Sequence, residues 1–414
     1  MAYAPQVYIG NVEYTDITIQ NVNVVYGRQR LTELPQATQA TLVLLYEGGS
    51  QSFTPTAAAV GELVEVLVDG RTRFYGYITD SLVQKYTLTI NAVGKGLAGY
   101  YNAAAYYYDS AGTDPPGTYT MGVGTTPFQL WYNLFSDWLR SDESWPWPPA
   151  PGTPLTFKNP ASGDTTTTVG NPGAAGRVQQ AYTETPSVTL ATAAEPIINL
   201  EPVGVIYEDY SITPLILGPD LKFGSQADRA SLTPDLTLSA DEVLDNWNTG
   251  PDNAQVVSRV IARSVDGSVV TTFETDGVNN TATEQTVTFA TGSTTVMAPA
   301  VNQILSRGRA PVYWATITIP AGRNITDVRR EQIIDELRIG RLVETPSFAT
   351  GLPEKWYVEG YTETIRASEY LVTLRLSDAA GSYRGQQWSA VTTTLTWAGV
   401  AADVTWNTLR SLDL

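Results

Sequence analysis

Over the first hundred residues apolar and polar positions alternate in short runs: "ITIQNVNVVY", "ATLVLLYEG", "GELVEVLVDG", "TRFYGYITD" and "YTLTINAVG". The period is two, the residues are mostly Val, Ile, Thr, Tyr and Leu, and Gly, Asn and Asp mark the breaks. That is the pattern of half-buried strands in an antiparallel sheet or barrel. Asp69-Gly70 between two of the runs is the dipeptide favoured in a type I′ hairpin turn.

From Tyr100 the pattern changes. Thr126, Pro127 and Gln129 form a helix start, with the hydroxyl as N-cap, proline at the first helical position and glutamine closing a capping box. Leu130, Leu134 and Trp138 then form one apolar row and Trp131, Phe135 and Leu139 a second beside it, so the helix has a core-facing side. Residues 141–196 are rich in Pro, Gly and Thr and carry too few periodic apolar positions for a core of their own. Strand character returns at "VGVIYEDYSITPLIL". A short helix is predicted at "SADEVLDNW", capped by Ser239 and Glu242, and a hairpin at "AQVVSRVIARSVDGSVVTTFET", turning at Asp266-Gly267. After a helix near "APAVNQILSRG" and a strand "VYWATITIP", Thr326 caps a helix "DVRREQIIDELR", which has Asp327 in its first turn, Arg338 in its last and Gly340 just beyond.

Part of the first pattern then recurs. Gly61-Glu62-Leu63-Val64-Glu65 is answered by Gly340-Arg341-Leu342-Val343-Glu344. "GYITDSLVQKY", from Gly76-Tyr77 to Tyr86, is answered by "GYTETIRASEY", from Gly360-Tyr361 to Tyr370. The order is the same in both, and one insertion in the loop "TPSFATGLPEK" aligns them, where added length costs least. The recurrence predicts two related sheet domains, the second borrowing strands from residues 203–217.

Composition narrows the chemistry. The 414 residues carry 25 Lys+Arg against 42 Asp+Glu, a net charge of −17, with no histidine and no cysteine. This excludes Cys-His and His-metal chemistry and gives no basic footprint for gripping nucleic acid. Carboxylate, Ser-Lys and Tyr chemistry remain. "DGVNNTATE" offers oxygens but lacks the spacing of a calcium loop, so no metal and no cofactor are expected. The opening "MAYAPQVYIGNVEY" has neither the basic nor the apolar part of a signal peptide, and no run of 18 apolar residues occurs. The expectation is therefore a protein made in the cytoplasm without a membrane anchor.

The run "VGELVEVLVDGRTRFYGYITD" resembles the opening domain of minor tail proteins of long-tailed bacteriophages, especially those infecting actinobacteria. "AQVVSRVIA", "LRIGRLVETPSF" and the Trp-rich ending are similar more loosely. The resemblance implies a mainly β chain with two tube-like antiparallel barrels: residues 1–100, and residues 199–225 with 299–380. Around them lie an inserted helix and connector (101–198), an inserted β-hairpin domain (226–298) and a Trp-rich end (381–414). It also implies a structural, non-enzymatic tail-tip or baseplate hub in the virion, assembled in the host bacterial cytoplasm. Such a hub forms a homotrimer, contacts the distal tail, other tail-tip proteins and the tail tube or tape measure, and passes DNA without reading its sequence.

Three other functions stand beside it: a distal tail adaptor ring, a carbohydrate- or receptor-binding module using exposed Tyr and Trp, and a cell-wall glycoside hydrolase built on two carboxylates. Trp388, Trp397 and Trp406 recur every nine residues. They read either as the closing core of the last barrel or as a docking arm inserting Trp anchors into a neighbouring subunit.

Overall fold

The computed structural model describes, with short gaps, residues 5–96, 195–200, 204–210, 220–225 and 234–379, and the isolated pairs 118–119 and 182–183. The predicted helix after Thr126, the connector and the three Trp residues of the ending lie outside the described residues.

The strands are β1 (Pro5–Ile9), β2 (Val12–Glu13), β3 (Ile17–Gly27), β4 (Gln36–Tyr46), β5 (Leu63–Val68), β6 (Arg71–Val83), β7 (Thr87–Gly94), β8 (Thr118–Tyr119), β9 (Tyr182–Thr183), β10 (Gly204–Asp209), β11 (Asp220–Ser225) and β12 (Leu236–Thr237). They continue with β13 (Asn248–Asp252), β14 (Val257–Ser264), β15 (Val270–Glu274), β16 (Thr283–Phe289), β17 (Val312–Ile319), β18 (Leu342–Glu344), β19 (Lys355–Arg366) and β20 (Glu369–Asp378). Helix α1 spans Thr294–Gly308 and α2 spans Asp327–Glu336.

Thirteen strands form one sheet in the order β13-β17-β20-β19-β3-β4-β7-β6-β5-β1-β2, with β18 also on β19 and β12 on β18. Two strand sets are visible within it. In the first, β3, β4, β7, β6, β5 and β1 are successive neighbours; in the second, β13, β17, β20, β19, β18 and β12 follow the same order. One difference is at the ends, where β1 runs antiparallel to β5 but β12 runs parallel to β18. Among the described residues the path is open.

Alternation accounts for the core. In β7 every second residue, Leu88, Ile90 and Ala92, is buried, and in β20 the same holds for Val372, Leu374 and Leu376. One apolar cluster joins residues of both sets, from Val22, Leu42 and Ile90 to Ile317, Val358 and Leu374.

The turn residues follow their local chemistry. Asp69 and Gly70 both have positive φ, as a type I′ hairpin requires. Helix α2 starts where Thr326 accepts the Arg329 N–H at 3.2 Å. "SADEVLDNW" gives only a three-residue 3₁₀ turn, Ala240–Glu242, in which Glu242 accepts the Ser239 N–H at 2.9 Å.

Two expectations about domain composition need correction. Residues 203–217 contribute β10, which pairs with β11 in a separate two-stranded sheet, while the second set takes β12 and β13 from the stretch read as an inserted domain. These strands are short, β12 having only two residues and β13 containing Gly250 and Pro251, so alternation over a strand's length could not reveal them. The rest of that insert is more than a hairpin: β14 and β15 pair with β16 added in parallel, and α1 packs on this sheet with Met297 and Val301 buried.

Candidate functional site

The site with the most concentrated chemistry is the seam where the two sets join. Strand β3 pairs with β19 from Gly27↔Gly360 to Val22↔Ile365. The backbones approach so closely that a Cβ on Gly27 would sit 2.6 Å from the Glu359 carbonyl, and one on Gly360 2.6 Å from that of Tyr26. Glycine is needed on both sides.

Buried ion pairs cross this seam. Arg73 of β6 donates to Glu363 of β19 through Nε, at 3.0 and 3.1 Å, and through Nη2, and Tyr370 donates its hydroxyl to the same carboxylate at 2.9 Å. Arg28 donates to Glu359 at 2.6 Å, and Ser377 donates to that carboxylate as well. Arg375 donates to the carbonyls of Tyr26 (2.7 Å) and Arg28 (3.2 Å) and to the Thr362 hydroxyl (3.0 Å). Tyr26 donates its hydroxyl to the Arg73 carbonyl and stacks on Tyr361 with ring centroids 4.3 Å apart. Outside the seam proper, Arg330 of α2 reaches Asp69 in the β5–β6 turn at 2.9 Å, and Arg71 pairs with Glu331 and Asp335.

Electrostatics keep these groups in their bonding forms. Burial opposes a charged Arg73, but the charge of Glu363 and its hydrogen bonds hold the guanidinium pKa well above the usual arginine value. Burial, reinforced by Glu363, pushes Tyr26 and Tyr370 well above the usual phenol value, so both remain hydroxyl donors. Tyr361 is raised too, chiefly by burial. A small cavity beside the seam, lined among others by Tyr26, Thr38, Tyr207, Glu208, Arg338 and Tyr361, has room for about one water. Among the described residues no group of three or more acidic side chains is placed to hold a metal ion. The seam joins the two sets.

The residues singled out in sequence divide into two groups. Gly61 and Gly340 occupy matching turns. Both have positive φ; Gly61 donates to the Ile78 carbonyl and Gly340 to that of Val358, at 2.8 and 2.7 Å. Beyond them Leu63, Val64 and Glu65 of β5 and Leu342, Val343 and Glu344 of β18 lie against Tyr77, Gly76 and Tyr75, and against Tyr357, Trp356 and Lys355. The place of Tyr77 is therefore taken by Tyr357, not Tyr361, and the alignment of Gly76-Tyr77 with Gly360-Tyr361 is displaced by four residues from the strand register. The two motifs serve different ends. A Cβ on Gly76 would strike the Val93 carbonyl inside the first set, whereas Gly360 admits β3. Tyr77 lies 5.9 Å from Lys95, whose amine burial pushes down to about 8. Tyr361 stacks at the seam. Tyr86 and Tyr370 keep the common offset of β7 and β20, but Tyr370 is buried on Glu363 while Tyr86 is half-buried with Lys85 over its ring.

The sequence matches no family model and no curated protein. Among solved structures it is similar to the 43 kDa tail protein of prophage MuSo2 from Shewanella oneidensis, at 12% identity, covering 92% of this chain and 99% of that one with a TM-score of 0.59. It is also similar to a tail protein from Neisseria meningitidis MC58, at 15% identity, covering 91% and 97% with a TM-score of 0.58. The described residues thus have the mainly β, mostly antiparallel fold of these tail proteins.

Proposed function

We propose that the protein is a structural component of a phage tail, a tail-tip hub whose chains form a ring around the DNA conduit. The observation that carries this reading is the presence of two strand sets with one pairing order in a chain that has the fold of tail proteins. A chain with two similar units lets three copies present six similar faces, the match a three-fold hub needs to dock on a six-fold tube. The net charge of −17 suits a wall that DNA slides past, because like charge prevents the counterion-release binding that would hold it. The seam supports a scaffold role, since its carboxylates are engaged by arginine, serine and tyrosine donors.

Mass photometry of the purified protein tests the reading. A particle of three chain masses is expected. Six chains would favour a distal tail adaptor ring, and a single chain at all concentrations would contradict both.

A further inference from the structure

Among the described residues the two sets pair with each other once, through β3 and β19, and the matching second pairing is not made. Rows across the sheet fix the correspondence. In the first set Asn23, Thr41, Asn91 and Asp80 form one row; in the second Asn248, Thr316, Arg375 and Gly360 form the same row. Both β6 and β19 carry an irregularity just before it, between Ile78 and Asp80 and between Val358 and Gly360. Gly360 is where the end of β3 docks. Its counterpart, Asp80, begins a stretch of β6 to Val83 that pairs only with β7 among the described residues.

The neighbouring turns make the same contrast. Glu62 N–H bonds the Ala59 carbonyl and Arg341 N–H bonds that of Arg338, so Val60 and Ile339 hold the same place. Ile339 is 3% exposed, packed against Tyr207 and close enough to Gly27 that a Cβ there would lie 2.6 Å from its Cδ1. Val60 is 69% exposed, and Leu82 nearby on β6 is 56% exposed. An apolar turn covered in one set lies bare in the other.

We infer that the turn at Val60 with the β6 edge at Leu82 is the docking surface for the β13 end of a second copy of this chain, repeating between chains the contact β3 makes within one. Strand β13 is the counterpart of β3, and position 252 that of Gly27. If the operation relating the sets were a closed two-fold, β13 would pair with β6 of its own chain. The open path instead makes the contact heterologous, which propagates from chain to chain and ends in a ring when the rotation closes. Pro251 has no N–H and breaks any continuous ladder, and the other residues of β13 are polar or glycine, so the apolar part of the contact is Val60 and Leu82 against the Pro251 ring. The ion pairs of the internal seam are also missing from the open joint: the place of Glu363 is taken by Val83 and that of Glu359 by Thr79.

The inference rests on the ring reading, and one experiment separates the two. Full-length protein, V60D, L82D and, as control, V270D on the exposed face of β15 are compared by mass photometry and circular dichroism melting. In parallel, a V60C/D252C variant, in a chain that otherwise has no cysteine, is oxidised and run on a non-reducing gel. The expected result is an unmodified multimer, single chains for V60D and L82D with melting unchanged, a multimer for V270D, and chain-to-chain cross-links that need both cysteines. A multimer indifferent to V60D and L82D, with no cross-link, overturns this surface while leaving the ring. An unmodified protein that stays a single chain overturns the ring and this surface with it.

Discussion

The end of the β6–β7 hairpin and the end of the β19–β20 hairpin occupy matching places in the two strand sets and have opposite surroundings. On β19 the stretch from Gly360 to Ile365 is covered by β3, crossed by Arg73 and Arg375, and flanked by the buried Ile339. On β6 the matching stretch pairs with β7 alone among the described residues, is acidic at Asp80 and leaves the apolar Leu82 exposed. The same backbone arrangement thus serves as a permanent joint in one copy and an accessible edge in the other. Side chains make the difference. Charge pairs are placed where folding can enforce their geometry, because a buried ion pair is costly unless every partner arrives. In the first set the places of Glu363 and Glu359 hold Val83 and Thr79 instead.

The largest expected effect comes from breaking the permanent joint at its ion pair. Arg73→Met or Glu363→Leu leaves an uncompensated buried charge and is expected to cost about 3–5 kcal/mol in urea denaturation. The double variant Arg73→Met/Glu363→Leu should recover much of that loss. Additive single losses in this cycle would mean that the pair is not coupled.

Glycine replacement sharpens the comparison at the next level. Gly27→Ala sets a Cβ against the Glu359 carbonyl and Ile339 at a positive φ and is expected to cost about 3 kcal/mol. At Gly61, where nothing lies within 4 Å of the added Cβ, only the backbone conformation is strained, and about 1 kcal/mol is expected. Equal losses would mean that the close approach of β3 to β19 contributes nothing.

Salt separates the two joints by mechanism. Apolar association between chains should persist or tighten in molar salt, because exposed charge pairs are screened and apolar contact is not. Mass photometry after a salt step checks this.

The smallest effect lies away from both joints. Hydrogen bonding from Arg329, at 2.6 Å, is the main cause that holds Glu242 down at about 2. Its folded pKa is depressed, so its stabilisation is present above the ordinary carboxylate value near 4.5 and is lost as pH falls toward 2. Glu242→Gln should flatten that part of the stability profile by about 1 kcal/mol, since the pair is near the surface.

How much of this was legible in sequence follows from what each element requires. The turns at Gly61 and Gly340 could be matched because positive φ demands glycine and the strand behind it repeats Leu-Val-Glu. The start of α2 was legible from a local cap. The Gly-Tyr pairs misled, because glycine is forced by the Val93 carbonyl in one and by β3 in the other, and a strand carries no mark of its partner. The ion pairs of the seam join residues far apart in the chain, Arg28 with Glu359 and Arg73 with Glu363, and nothing local marks them. Strands β12 and β13 escaped because a two-residue strand and one interrupted by Gly250 and Pro251 are too short to show a period and take their order from neighbours. The face of β6 at Leu82 was passed over because exposure of an apolar residue is a tertiary fact.

The central claim, that two equivalent strand sets per chain build a closed ring through one internal and one external joint, is tested most directly by a cryo-EM reconstruction of the purified assembly without imposed symmetry. The expected map shows three chains, six similar β units around one axis, and the β13 end of each chain against the Val60 turn of the next. A two-fold dimer, or a ring whose chains meet through β14–β16 instead, would contradict it.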